Sequence, residues 1–200
     1  MMWYNCNLYK VFIHKRPWKL LMENKNSVYI AISLDGYIAD KNGGIEWLDS
    51  IQIPDNEDMG YVEFTKGIDA LVMGRTTFET VLGFDVDWPY KKPVFVLSTS
   101  LAEIPESHKE KAFLVKGTMT EILEQIHKKG CHRLYIDGGI TIQGFLKDDL
   151  IDEMIITVFP VLLGGGSPLF SELPKALEFE LVASKVYFKQ LVQHHYRRKR

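Results

Sequence analysis

A nearly unbroken apolar run, Val28 to Leu34 (VYIAISL), most constrains this chain. A strand without polar alternation is buried on both faces, so layers must pack above and below it. Shorter runs of the same kind recur at Ala70–Met73, Pro93–Leu97 (PVFVL), Ala112–Val115 and Arg133–Ile136. Helix signals lie between them. Pro54-Asp55-Asn56 opens a helix ending near Gly67, and Gly74-Arg75-Thr76 turns into one reaching about Leu82. Thr118 to Glu121 has the S/T-x-x-E form of a capping box, with Ile122, Leu123 and Ile126 on one face and Gly130 as the stop. Gly138-Gly139 opens another helix through Phe145 and Leu146. After Asp152 the helices cease, and residues 153–163, about 178–188 and 190–196 read as consecutive strands. The pattern predicts an α/β fold with a mostly parallel central sheet and antiparallel C-terminal strands.

Composition narrows the function classes. The formal net charge is −2, without the basic excess of a nucleic-acid binder. Residues 27–196 hold 15 basic and 25 acidic residues, while residues 1–26 hold five basic and one acidic. Arg197, Arg198, Lys199 and Arg200 form a second basic end, expected to be solvated. Residues 1–26 show no clear period and are expected to be a dispensable extension, with a basic docking arm as the alternative. The fold proper is then 27–200. Cys6 and Cys131 form neither a disulfide framework nor a zinc spacing, which fits a reducing, cytoplasmic setting. No stretch reaches the roughly 18 apolar residues of a membrane span. His194-His195, on opposite faces of a strand, make a poor metal pair.

Three strand ends carry the chemistry. In LVMGRTT, a buried strand ends at Gly74 and a helix begins with Arg75, Thr76 and Thr77. Free N–H groups at a helix start, a permissive glycine, hydroxyls and a guanidinium fork suit phosphate. The plain alternative is a helix cap with a solvated arginine. In LYIDGGIT, Gly138, Gly139, Ile140 and Thr141 repeat the arrangement without a full G-x-G-x-x-G fingerprint. In VLSTS, Ser98, Thr99 and Ser100 end a buried strand where open α/β sheets bind ligands. Together they favour a phosphate-bearing cofactor. Asp35, in an Asp-Gly turn after the first strand, and Asp58, at the start of a helix, are the candidate acids. Trp47 lies in the long polar stretch 35–54, as a packing anchor or part of a lid over 40–54.

In this order the motifs resemble the dihydrofolate reductase-like superfamily, and within it stand-alone relatives of the RibD C-terminal reductase domain. The resemblance covers about residues 28–196. It rests on SLDGYIA (33–39), IEWL (45–48), LVMGRTTFE (71–79), WPY (88–90), VFVLSTS (94–100), IDGG (136–139) with FL (145–146), and IDEMIITVFPVLLGGGSPLF (151–170). It implies a three-layer sandwich and an NADPH-dependent reductase acting on a small heterocycle of pteridine or ribosylaminopyrimidine type. Gly74, Arg75, Thr76 and Thr77 would meet cofactor phosphates, with Arg75 a 2′-phosphate partner. Ser98, Thr99 and Ser100 would neighbour the adenosine, and Gly138, Gly139, Ile140 and Thr141 the pyrophosphate. Asp35 would lie near the nicotinamide, and Glu46 and Trp47 would face substrate. Asp58 falls in the register of the carboxylate that true dihydrofolate reductases direct at the pteridine. No clear match exists for the arginine that binds the folate tail. A non-catalytic binding protein on the same fold, or a true dihydrofolate reductase, are the alternatives. The late strands and Gly164-Gly165-Gly166 would build a homodimer edge.

Overall fold

The computed structural model describes residues 24–200. The expectations about Cys6 and about most of the basic extension lie outside these residues. The first strand, β1, spans Lys25–Ser33, so it begins inside the segment assigned to the extension. Asn26 is buried there, its N–H donating to the Asp152 carboxylate at 2.7 Å and its side chain to the Leu150 carbonyl at 2.8 Å. The polar look of Asn26 reflects these bonds rather than exposure.

The remaining strands are β2 (Tyr37–Ala39), β3 (Ala70–Gly74), β4 (Val94–Leu97), β5 (Ala112–Val115), β6 (Arg133–Asp137), β7 (Glu153–Phe159), β8 (Ser167–Pro168), β9 (Phe179–Tyr187) and β10 (Leu191–Arg198). The helices are α1 (Tyr61–Lys66), α2 (Arg75–Leu82), α3 (Met119–His127) and α4 (Gly139–Lys147), with 3-10 turns at Glu46–Ser50 and Glu106–His108. Eight strands form one sheet in the order β5-β4-β3-β6-β1-β7-β10-β9, and β2 pairs with β8 separately. Neighbours from β5 to β7 are parallel, and β10 runs antiparallel to both β7 and β9.

Alternation along the strands divides the core into two layers. Val72, Phe95 and Ile136 face one side, under Ile122 and Ile126 of α3 and Ile142, Phe145 and Leu146 of α4. Leu71, Met73, Val94, Val96 and Tyr135 face the other, under Phe78 of α2 and Tyr61 and Phe64 of α1. This is the expected three-layer arrangement. The Thr118–Glu121 capping box forms in full, with Glu121 accepting the Thr118 N–H at 2.8 Å.

Several local expectations need correction. The first helix starts at Tyr61, not at Pro54–Asn56. Asp58 accepts the N–H groups of Gly60 and Val62, and Met59 adopts φ 51°, so the chain turns before it coils. Strand β7 ends at Phe159 rather than at 163. In the basic C-terminus Arg197, Lys199 and Arg200 are exposed as expected, but Arg198 is covered and three of the four residues form ion pairs. Arg198 makes a double hydrogen bond to Asp149 at 2.7 and 2.9 Å, and Arg197 pairs with Glu180. Arg200 binds Asp152.

Candidate active site

Because β1, β3, β4, β6 and β7 are parallel, their C-terminal ends share one edge of the sheet. Register pairs Met73 with Asp137 and Gly74 with Leu97, so the turns after β3, β4 and β6 stand side by side. The starts of α2 and α4 interlock there. A Cβ on Gly138 would strike the Thr77 hydroxyl, and one on Gly74 would lie 3.1 Å from the Thr141 hydroxyl. Gly138 also has φ +87°, so both space and backbone demand glycine. The first-turn N–H groups of two helices are thereby held together, a donor set suited to linked phosphates. Thr77 and Thr141 serve this packing, and Thr141 is buried.

The other residues of these turns are more open. Arg75 and Thr76 are exposed, and Ile140 projects with 85% of its surface free. Arg75 forms an ion pair with Glu79 at 2.6 Å. The Ser98 hydroxyl accepts the N–H groups of Leu101 at 2.9 Å and Ser100 at 3.2 Å, shaping the turn, while Thr99 and Ser100 are exposed.

Both acids singled out from the sequence are engaged by local donors. Asp35 accepts the Ser33 hydroxyl at 2.6 Å and the N–H groups of Leu163 at 3.1 Å and Gly164 at 2.8 Å. The Ser33 bond, helped by those N–H groups, holds its pKa below the ordinary value. Asp35 thus pins the glycine loop to the end of β1. Gly166 presses so closely on the backbone of Ala39 and Asp40 that a Cβ has no room. The Gly166 end of the loop is thus seated on the β2 end, while Gly164 at its tip is exposed. Asp58 is held ionised by the N–H groups of Gly60 and Val62, and it caps α1. Its loop is fixed through the Met59 carbonyl, which accepts the hydroxyls of Tyr29 at 2.9 Å and Tyr187 at 3.1 Å.

The IEWL segment divides. Glu46 is exposed, whereas Trp47 packs edge-on against Phe159 with ring centroids 5.4 Å apart. Ile51 is buried in the same cluster, so the stretch foreseen as a lid is anchored to the sheet. The Trp47 indole N–H is buried without an acceptor among the described residues.

The acid that the sequence reading passed over is Asp137. It ends β6 on the face of Tyr135 and, among the described residues, accepts only the Gly138 N–H, at 2.9 Å. Burial pushes its carboxyl up to about 6, against the opposing pull of that N–H. Burial raises the pKa of the Tyr61, Tyr90 and Tyr135 hydroxyls, and the Asp137 charge adds to the rise. No cation among the described residues pairs with Asp137. An acid directly after an apolar strand and before two glycines was the available signal. It was read only as part of a phosphate turn.

A model of the RibD C-terminal domain matches residues 27–193. The chain belongs to the RibD C-terminal domain family. Among relatives of this family member is the uncharacterised protein YwjB of Bacillus subtilis, 38% identical over 178 residues, covering 88% of this chain and 98% of that protein. The 2,5-diamino-6-ribosylamino-4(3H)-pyrimidinone 5′-phosphate reductase of Methanothermobacter thermautotrophicus is 29% identical, over 68% of this chain and 77% of that enzyme. Among solved structures, a Shewanella sp. PV-4 protein named for riboflavin biosynthesis superposes with a TM-score of 0.85 at 55% identity, covering 88% and 99% of the two chains. Dihydrofolate reductase of Enterococcus faecalis, solved with NADP(H), shares the fold at TM-score 0.62 and 20% identity, covering 88% and 97%. The chain thus belongs with riboflavin-type reductases on a dihydrofolate reductase-like fold.

Proposed function

We propose that the protein is an NADPH-dependent reductase that delivers a hydride to a C=N or C=O group of a small heterocycle, of ribosylaminopyrimidine or pteridine type. The observation that carries this reading is the placement of Asp137, an uncompensated carboxyl, beside the interlocked starts of α2 and α4. The cofactor fits what is present. Gly74 and Gly138 leave no side chain between two helix N-termini, and Arg75 adds a guanidinium on the first turn of α2. When bound, NADPH supplies the hydride.

The chain's own residues hold, orient and protonate. The first-turn N–H groups of α2 and α4 would hold the pyrophosphate, and Arg75 would hold the 2′-phosphate. Asp137, protonated below about pH 6, gives its proton to the ring nitrogen or oxygen as the neighbouring carbon gains the hydride. The roles first assigned to Asp35 and Asp58 become positional, since donors already surround both carboxylates. The same reading takes the working unit as a homodimer.

Binding and turnover test it together. NADPH should bind more tightly than NADH, with Arg75→Ala removing most of that preference. NADPH should be oxidised in the presence of a ribosylaminopyrimidine phosphate or a dihydropterin. NADPH binding without turnover on either class would favour the non-catalytic alternative, and equal binding of the two cofactors would remove Arg75 from its role.

A further inference from the structure

Arg75 occupies the first position of α2, where the helix dipole disfavours a cation. Its guanidinium does not stand free at the strand-end rim. Nη1 bonds Glu79 Oε2 at 2.6 Å, one turn further along the same helix, and both side chains are nearly half exposed, at 44% and 45%. Side chains of a helix lean toward its N-terminus, so Glu79 reaches back and Arg75 must fold down to meet it. The pair therefore holds the guanidinium along the flank of α2. Among the described residues Glu79 is the one acceptor of Arg75.

Resting on the cofactor reading above, we infer that Glu79 is an internal competitor for Arg75 that sets how strongly the protein prefers a 2′-phosphorylated cofactor. A phosphate at the rim and the Glu79 carboxylate claim the same guanidinium. Binding the phosphate exchanges one charge-assisted bond for another and brings two anions close together. Glu79 thereby restrains affinity for NADPH and leaves NADH, which has no 2′-phosphate, nearly untouched. Glu79 is a positioning residue, since it acts through Arg75.

The test is Glu79→Gln, which keeps the shape and removes the charge. Dissociation constants of NADPH and NADH are measured by nicotinamide fluorescence in the wild type, E79Q, R75Q and the double variant, at low and high salt. E79Q should tighten NADPH about two- to fivefold, as expected for release of an exposed ion pair, with NADH changed by less. The gain should shrink at high salt and largely vanish in the R75Q background. Unchanged or weaker NADPH binding in E79Q, beside a wild type that prefers NADPH, overturns the role of Glu79 and leaves the cofactor reading standing. A gain that persists without Arg75 also overturns it, since the charge would then act directly on the ligand. If wild type and E79Q alike bind the two cofactors equally, or bind neither, both readings fall.

Discussion

At the scale of single residues, Asp137 joins function and stability. Its pKa of about 6 in the folded protein lies above the ordinary 3.8. The penalty for holding it charged is thus absent below the ordinary value and complete once the pH has risen through about 6. Asp137→Asn removes that penalty, so the variant should melt higher than wild type at pH 8 and show little gain at pH 4. Turnover should move the other way. If Asp137 donates the proton, wild-type kcat/KM declines as the pH rises past about 6. The variant should lose that limb and about a hundredfold or more in rate. A variant that keeps the limb would show that the proton comes from elsewhere. Asp35 and Asp58 teach the converse lesson. Each was singled out by residue type and motif position, yet each carboxylate is surrounded by N–H or O–H donors within a few residues or across one loop. Residue type and position suggest an acid; only the count of donors around it says whether a proton is available to give.

At the scale of elements, strands and helix caps were legible where local chemistry and burial agreed. β5 spans the very residues expected, α2 and α4 start at their Gly turns, and the Thr118 box caps α3. The start of α1 was misread because Pro54-Asp55-Asn56 carries the composition of a cap, while the turn made by Asp58 and Met59 competes with helix closer to Tyr61. The end of the chain was misread for a different reason. Arg198 looked solvated in sequence, but strand pairing brings β10 beside the Asp149 turn. The Arg198 bonds, outweighing a smaller opposing effect of burial and aided by Lys175, hold Asp149 down at about 2. That pairing adds stability above the ordinary carboxylate value near 3.8, and the contribution is lost as the pH falls toward 2. Asp149→Asn suits φ 55° at this position and removes only the charge. It should lower Tm by about 2–4 °C at pH 7, with the difference closing in acid. An unchanged Tm at pH 7 would mean the pair adds nothing to the clamp.

At the scale of the whole molecule, the sheet ends in β9, an edge strand whose outer side has no neighbour among the described residues. Leu181, Val182 and Val186 are exposed there at 57%, 41% and 61%. Isolated chains blunt such edges with charge, proline or a covering segment, and Glu180 and Lys185 are the charges β9 offers. A second copy meeting β9 about a two-fold axis would cover the strand. Light scattering should then give a mass near twice the 23.1 kDa of one chain, and Leu181→Lys should shift it to one. A wild-type monomer at micromolar concentration would refute the homodimer. The charge distribution also resolves at this scale. Arg197, Arg198 and Arg200 of the basic C-terminal end pair with Glu180, Asp149 and Asp152 of the acidic body, while Arg75 is the cation at the phosphate-type edge. The amino-acid sequence by itself determined the layered α/β architecture, the order of the turns and the kinship with riboflavin-type reductases, because burial pattern, caps and glycine turns are encoded within a few residues of one another. Tertiary structure alone decided which acid stays free of partners, which arginine is clamped and which glycines interlock. Those outcomes depend on groups far apart in the chain, such as Asp35 with Gly164 or Arg198 with Asp149, whose meeting no local pattern records.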